Sequence, residues 1–107
     1  AVAGRVVYAL RANTLRAYNL SNGVELWRFT ADGPLLAAPI VAGQYVYVAS
    51  ATHTYVLNRQ THLVEWDTPT GGILSIANGY LFIAETIYDT MDYPQKAILH
   101  AYRAQEP

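Results

Sequence analysis

Cysteine is absent from this 107-residue chain, lysine occurs once, at Lys96, and charged residues make up only 14%. Without cysteine there is no disulfide, no thiolate metal site and no cysteine nucleophile. The compartment stays open, because many exported proteins also lack disulfides. A net charge of −1 offers no basic footprint for a phosphate backbone, so no nucleic acid is expected as a partner. No apolar run approaches the ~20 residues that a spanning helix needs, so no transmembrane segment is expected. No stretch holds a 3.6-residue apolar period over the ~11 residues of an average helix. What is present is 52% hydrophobic with nine tyrosines, the composition of one small folded domain. The chain opens at Ala1 inside a strand approach with no signal peptide, which predicts a processed chain or a piece of a longer one.

The stretch Leu15 to Trp27 reads as a strand, a polar turn at Ser21-Asn22-Gly23 and a second strand ending on a large aromatic. The same layout returns 39 residues later, from Thr54 to Trp66. Aligning 2–27 with 41–66 needs no gap and gives eight identities: Val2/Val41, Ala3/Ala42, Gly4/Gly43, Val7/Val46, Tyr8/Tyr47, Ala12/Ala51, Asn19/Asn58 and Trp27/Trp66. Self-similarity at a fixed period marks a repeat architecture. Within the period, short β-branched and aromatic runs alternate with turn signals, as in Val6–Leu10, Thr14–Asn19, Glu25–Thr30 and Tyr45–Ser50. Leu36–Val41 is read as an edge or bent strand because of Pro39. A third unit reuses the template at Ala77–Ala84 and Ile98–Arg103, with an insertion over Thr86–Gln95 between them. The fold class expected is all-β, in approximate units 1–37, 38–75 and 76–107.

Four short antiparallel strands per ~40 residues is the pattern of a propeller blade. One blade has two apolar faces and needs neighbours to cover them. The Ala17–Trp27 stretch, A-x-N-x-x-x-G-x-x-x-W, resembles the repeat of the pyrroloquinoline-quinone-type (quinoprotein-like) β-propellers. Those carry A-x-D-x-x-T-G-x-x-x-W after a G-x-x-V-Y-V strand, which Gly43 with Val46-Tyr47-Val48 and Gly4 with Val7-Tyr8 match. The resemblance implies a partial β-propeller of four-stranded blades, about two and a half of them, from the C-terminal part of a longer propeller. It also implies docking of Trp27 and Trp66 on the adjacent blade, with Gly4, Gly23 and Gly43 at the turns. Departures are Asn19, Asn58 and Arg103 in place of the aspartate, and His62 in place of the glycine.

Chemistry-bearing residues are sparse. Glu85, Asp89 and Asp92 in the insertion lack the D-x-D-x-D-G spacing of a calcium loop, so a solvated hairpin is expected there. His53, His62 and His100 form no H-x-x-x-H pair and are expected as exposed turn or edge residues. No G-x-S-x-G, S-x-x-K or phosphate-cradling loop occurs. Asn19-Leu20-Ser21 is formally a glycosylation sequon, but a side-chain cap to the turn is the reading for Asn19. Because loops carry function more often than strands, Tyr88, Asp89, Asp92 and Tyr93 are the candidate partner contacts.

The function expected is therefore a non-catalytic propeller segment, a scaffold or protein-interaction platform with no cofactor, no catalytic residue and no metal ligand. Its partners are the remaining blades or another protein chain. The resemblance places it in the periplasm, the cell envelope or outside the cell. Two alternatives stand beside it: the resemblance offers a fragment of an alcohol or sugar dehydrogenase that uses the quinone PQQ and calcium, and the tyrosines of the insertion offer a glycan-binding propeller using Tyr88 and Tyr93.

Overall fold

The computed structural model describes residues 1–36, 38–88 and 94–103, with the backbone alone for 86–88 and 94–97. Eleven strands follow one another, and no helix occurs among the described residues. They are β1 (Val2–Ala3), β2 (Val6–Arg11), β3 (Thr14–Asn19), β4 (Glu25–Thr30), β5 (Ile40–Ala42), β6 (Tyr45–Ala49), β7 (Thr54–Asn58), β8 (Val64–Thr68), β9 (Ile73–Ala77), β10 (Tyr80–Tyr88) and β11 (Pro94–Arg103). Each strand pairs antiparallel with the next in sequence, in three separate sheets: β1 to β4, β5 to β8, and β9 to β11.

The repeat seen in the sequence is also a repeat of register. Tyr8 sits opposite Ala17 and Ala17 opposite Trp27; in the second sheet Tyr47 sits opposite Val56 and Val56 opposite Trp66. Even the irregularity recurs, with a β-bulge at Ala17/Tyr18 and another at Val56/Leu57, 39 residues on. A bulge adds local twist, so both sheets bend at the same strand pair.

Because strand residues alternate between faces, each sheet has a trailing face toward the next sheet and a leading face toward the one before. Tyr8, Leu15 and Ala17 on the trailing face of the first sheet pack on Val46, Val48, Tyr55 and Leu57 of the second. Tyr47 and Val56 on the second sheet's trailing face pack on Leu81 and Ile83 of the third. Covered on both sides, β7 is buried at every residue, whereas β4 alternates between half-buried and exposed along its length. A doubly covered strand reads as a continuous apolar run for this reason.

Three local expectations change. The first paired strand of the second sheet begins at Ile40, not Leu36, since Pro39 has no N–H to give a ladder. Val2–Ala3 and Ile73–Ala77, not among the strands expected, are paired strands. The inserted segment is in part strand: β10 runs on to Tyr88, which faces Pro94 across the hairpin.

Candidate functional site: the joints between sheets

At one end of the first joint the two units meet through a ring stack. Trp27 of β4 lies parallel to His62 of the β7–β8 turn, with centroids 4.6 Å apart and 11° between the planes, and edge-on to Tyr8 at 6.0 Å. His62 takes the place of Gly23 in the repeat and adopts the same left-handed backbone, φ +66° against +72°. A non-glycine residue in that region costs about 1 kcal/mol, which the stack on an indole offsets. Beside it, Arg59 donates from Nε to the Tyr8 hydroxyl (3.0 Å) and from its terminal nitrogens to the carbonyls of Gly43 (2.8 Å) and Ala3 (3.3 Å). Together Val6, Tyr8, Leu26, Trp27, Gln44, Arg59, Gln60 and His62 line an open cleft of about 480 Å³.

At the opposite end of the same joint a carboxylate gathers three hydroxyls. Asp32, in the connection after β4, accepts from Ser50 (2.9 Å), Thr52 (2.8 Å) and Tyr55 (2.9 Å) of the second unit. These bonds, that from Thr52 foremost, hold the Asp32 carboxyl below its ordinary 3.8. Burial, and then its bond to Asp32, push the Tyr55 hydroxyl above 10.0. Phe29 meets Tyr55 edge-on at 5.0 Å, and His53 stacks on the same ring, also at 5.0 Å. The Ser50 hydroxyl bonds to a carboxylate and not to an imidazole, so Ser50, His53 and Asp67 do not form a nucleophile relay.

The second joint carries Trp66 edge-on to Tyr102 of β11, centroids 5.2 Å apart. The place of Asp32 is taken by Gly71, where a Cβ would stand 2.2 Å from the Ser50 carbonyl oxygen. The places of Ser50 and Tyr55 are taken by Glu85 and His100, which pair with each other at 3.6 Å.

Gly4 (φ +60°), Gly43 (φ +59°) and Gly23 (φ +72°) occupy left-handed turn positions. A Cβ at Gly4 or Gly23 would meet nothing within 4 Å, so the backbone angle, and not crowding, calls for glycine there. The side chains of Asn19 and Asn58 cap their turns, Oδ1 accepting from the N–H of Ser21 (2.8 Å) and Gln60 (2.7 Å). Tyr88 closes β10; its side chain, with Asp89, Asp92 and Tyr93, lies outside the described residues. The five described carboxylates, Glu25, Asp32, Glu65, Asp67 and Glu85, each face a donor of this chain. No three His, Asp or Glu among the described residues stand close enough to hold a metal ion.

Residues 1–71 match the model of the family described as outer membrane protein assembly factor BamB. The chain belongs to this family. No curated protein matches it. Among solved structures, BamB from Moraxella catarrhalis is similar at a TM-score of 0.60 and 22% identity, over 76% of this chain. That likeness covers 26% of BamB, so the chain spans about a quarter of its length and shares its fold. Within the BamB family frame, the three sheets are blades of a PQQ-repeat β-propeller and the two joints are inter-blade contacts. Sequence reasoning missed Asp32 and Arg59; His62 is the exposed turn residue expected, but its stack on Trp27 was not foreseen. The one signal for His62 was that it stands where the repeat has glycine.

Proposed function

We propose that this chain is a non-catalytic segment of a propeller that serves as a protein-interaction scaffold in the cell envelope. The observation that carries this reading is an uncovered trailing face on the third sheet. Ile73, Tyr80 and Leu99 are 54%, 48% and 66% exposed there, on the face that in the first two sheets is packed against a neighbour. Exposed apolar residues grouped on one sheet face mark an interaction site. The family name, an outer membrane protein assembly factor, supports the envelope as the location. Trp27 and Trp66 act in this scheme as docking residues that fix each blade on the next. The scheme proposes no quinone and no calcium for this segment.

The test is photocrosslinking from position 99 or 80 in the intact parent protein, with a binding survey of that protein alongside. Crosslinks to a further blade, together with capture of a defined protein or peptide partner, support the proposal. An intact parent that binds neither protein nor peptide overturns the scaffold reading, and PQQ-dependent dye reduction by that parent replaces it with the dehydrogenase.

A further inference from the structure

We infer that the leading face of the first sheet is built to receive an acidic residue from the connection that ends a preceding blade. The inference deepens the scaffold reading and rests on it. It comes from comparing the same corner in three sheets. In the second sheet the corner is Ser50, Thr52 and Tyr55, three hydroxyl donors filled by Asp32 of the unit before. In the third, Glu85 stands 3.6 Å from His100, whose buried Nε2 makes no hydrogen bond, and the preceding connection offers Gly71. Both of these corners therefore hold a carboxylate at the joint, Asp32 from the preceding connection in the second sheet and Glu85 from the sheet itself in the third. In the first sheet the corresponding residues are Arg11, Asn13 and Arg16, all donors, two of them cationic.

The charges around this corner do not cancel. Arg28, opposite Arg16, replaces the Asp67 that stands opposite Tyr55. Glu25 serves both arginines, at 2.9 Å from the Arg28 Nε and 3.7 Å from an Arg16 terminal nitrogen. Arg11 pairs with no carboxylate among the described residues, and the Arg16 Nε is buried without a hydrogen-bond partner. An arginine fork with a buried, unused N–H matches a carboxylate.

The occupant is a further blade and not a second copy of this chain. The trailing face a second copy would bring is that of the third sheet, with Ile73, Tyr80, Leu99 and Arg103, apolar and cationic. Like charges across such a contact are unfavourable. Among the described residues, the one acidic connection between sheets, that of Asp32, is already engaged.

The test is a tandem chain in which residues 1–39 are repeated ahead of Ala1, placing a second Asp32 before the original first sheet. The tandem is compared with its Asp32→Asn form in the added copy, each with and without Arg16→Met in the original sheet. The expected result is a melting temperature lowered by about 3 °C on Asp32→Asn when Arg16 is present, and unchanged when it is Met. The Arg16 Nε–H resonance should also become slow to exchange with solvent. A tandem more stable than the single chain, but with equal Asp32→Asn effects in both backgrounds, overturns the carboxylate assignment and leaves the scaffold reading standing. A tandem no more stable than the single chain overturns both.

Should the tandem not fold, the single chain is titrated with the acetylated, amidated peptide Ala-Asp-Gly-Pro, and with its Asn form, while the Arg16 and Arg11 Nε signals are followed. A response to the Asp peptide alone supports the assignment; equal responses, or none, overturn it. Self-association of the single chain that Arg16→Met abolishes would make a second copy the occupant and overturn the choice of a blade.

Discussion

Between the first and second sheets, Asp32, Arg59 and His62 each reach across the gap with a named bond or stack. Between the second and third, the corresponding contact is a bare glycine connection pressed against backbone, an edge-on Trp66–Tyr102 pair and an apolar cluster. The two joints use the same strands, the same bulge and the same tryptophan. They differ in how position is fixed. Named side-chain bonds stand at both ends of the first joint, whereas the glycine connection of the second packs on backbone without side-chain room. Loss of one group should be shared among several others in the first joint and felt directly in the second.

The largest test of that contrast is the tryptophan pair. Trp66→Ala should cost about 4 kcal/mol and Trp27→Ala about 2 kcal/mol by urea denaturation, because Arg59 and Asp32 still hold the first joint. Hydrogen exchange should show protection lost first in β9 to β11 for Trp66→Ala; equal costs and a single global opening would erase the contrast. Next come the paired glycines of the connections. A Cβ at Gly72 would stand 2.2 Å from the Ala84 carbonyl oxygen, on a backbone with φ +148°, whereas one at Gly33 meets nothing within 4 Å. Gly72→Ala should therefore cost about 2 kcal/mol and Gly33→Ala less than about 0.5 kcal/mol.

A smaller effect is expected at His62. His62→Gly relieves the left-handed strain and loses the stack, so stability should change by less than about 1 kcal/mol. The Trp27 indole signal should move clearly all the same, since a parallel ring leaves it. The last test is pH. Asp32 has its pKa lowered in the fold, so its contribution is present above about pH 4 and is lost as pH falls through the folded value. Tyr55 has its pKa raised, so its contribution is present below about pH 10 and is lost as pH rises through the folded value. Asp32→Asn should flatten the acid side of a stability profile and Tyr55→Phe the alkaline side. No counterpart of Asp32 exists at Gly71 to impose the same acid limit on the second joint.

The sequence made the sheets legible because a repeat writes its spacing into every unit. Trp27 and Trp66, Gly4 and Gly43, and the caps Asn19 and Asn58 could all be placed from the offset of 39 alone. The joints were harder to read for the opposite reason. Asp32, Arg59 and His62 break the repeat, and a residue that breaks a pattern gives no sign of what it touches. Asp32 in an Ala-Asp-Gly-Pro turn looks solvated, and only the fold brings Ser50, Thr52 and Tyr55 to it. Short paired strands such as Val2–Ala3 were hidden because two residues carry no periodicity.

Trailing face meets leading face at both joints, never like against like. Contacts of that kind have a polarity, as in a stack of cups. Assemblies with polarity either close on themselves or grow without end. The arginines on one face of this segment and the apolar sheet on the other are mismatched, which discourages runaway head-to-tail polymers of this segment alone.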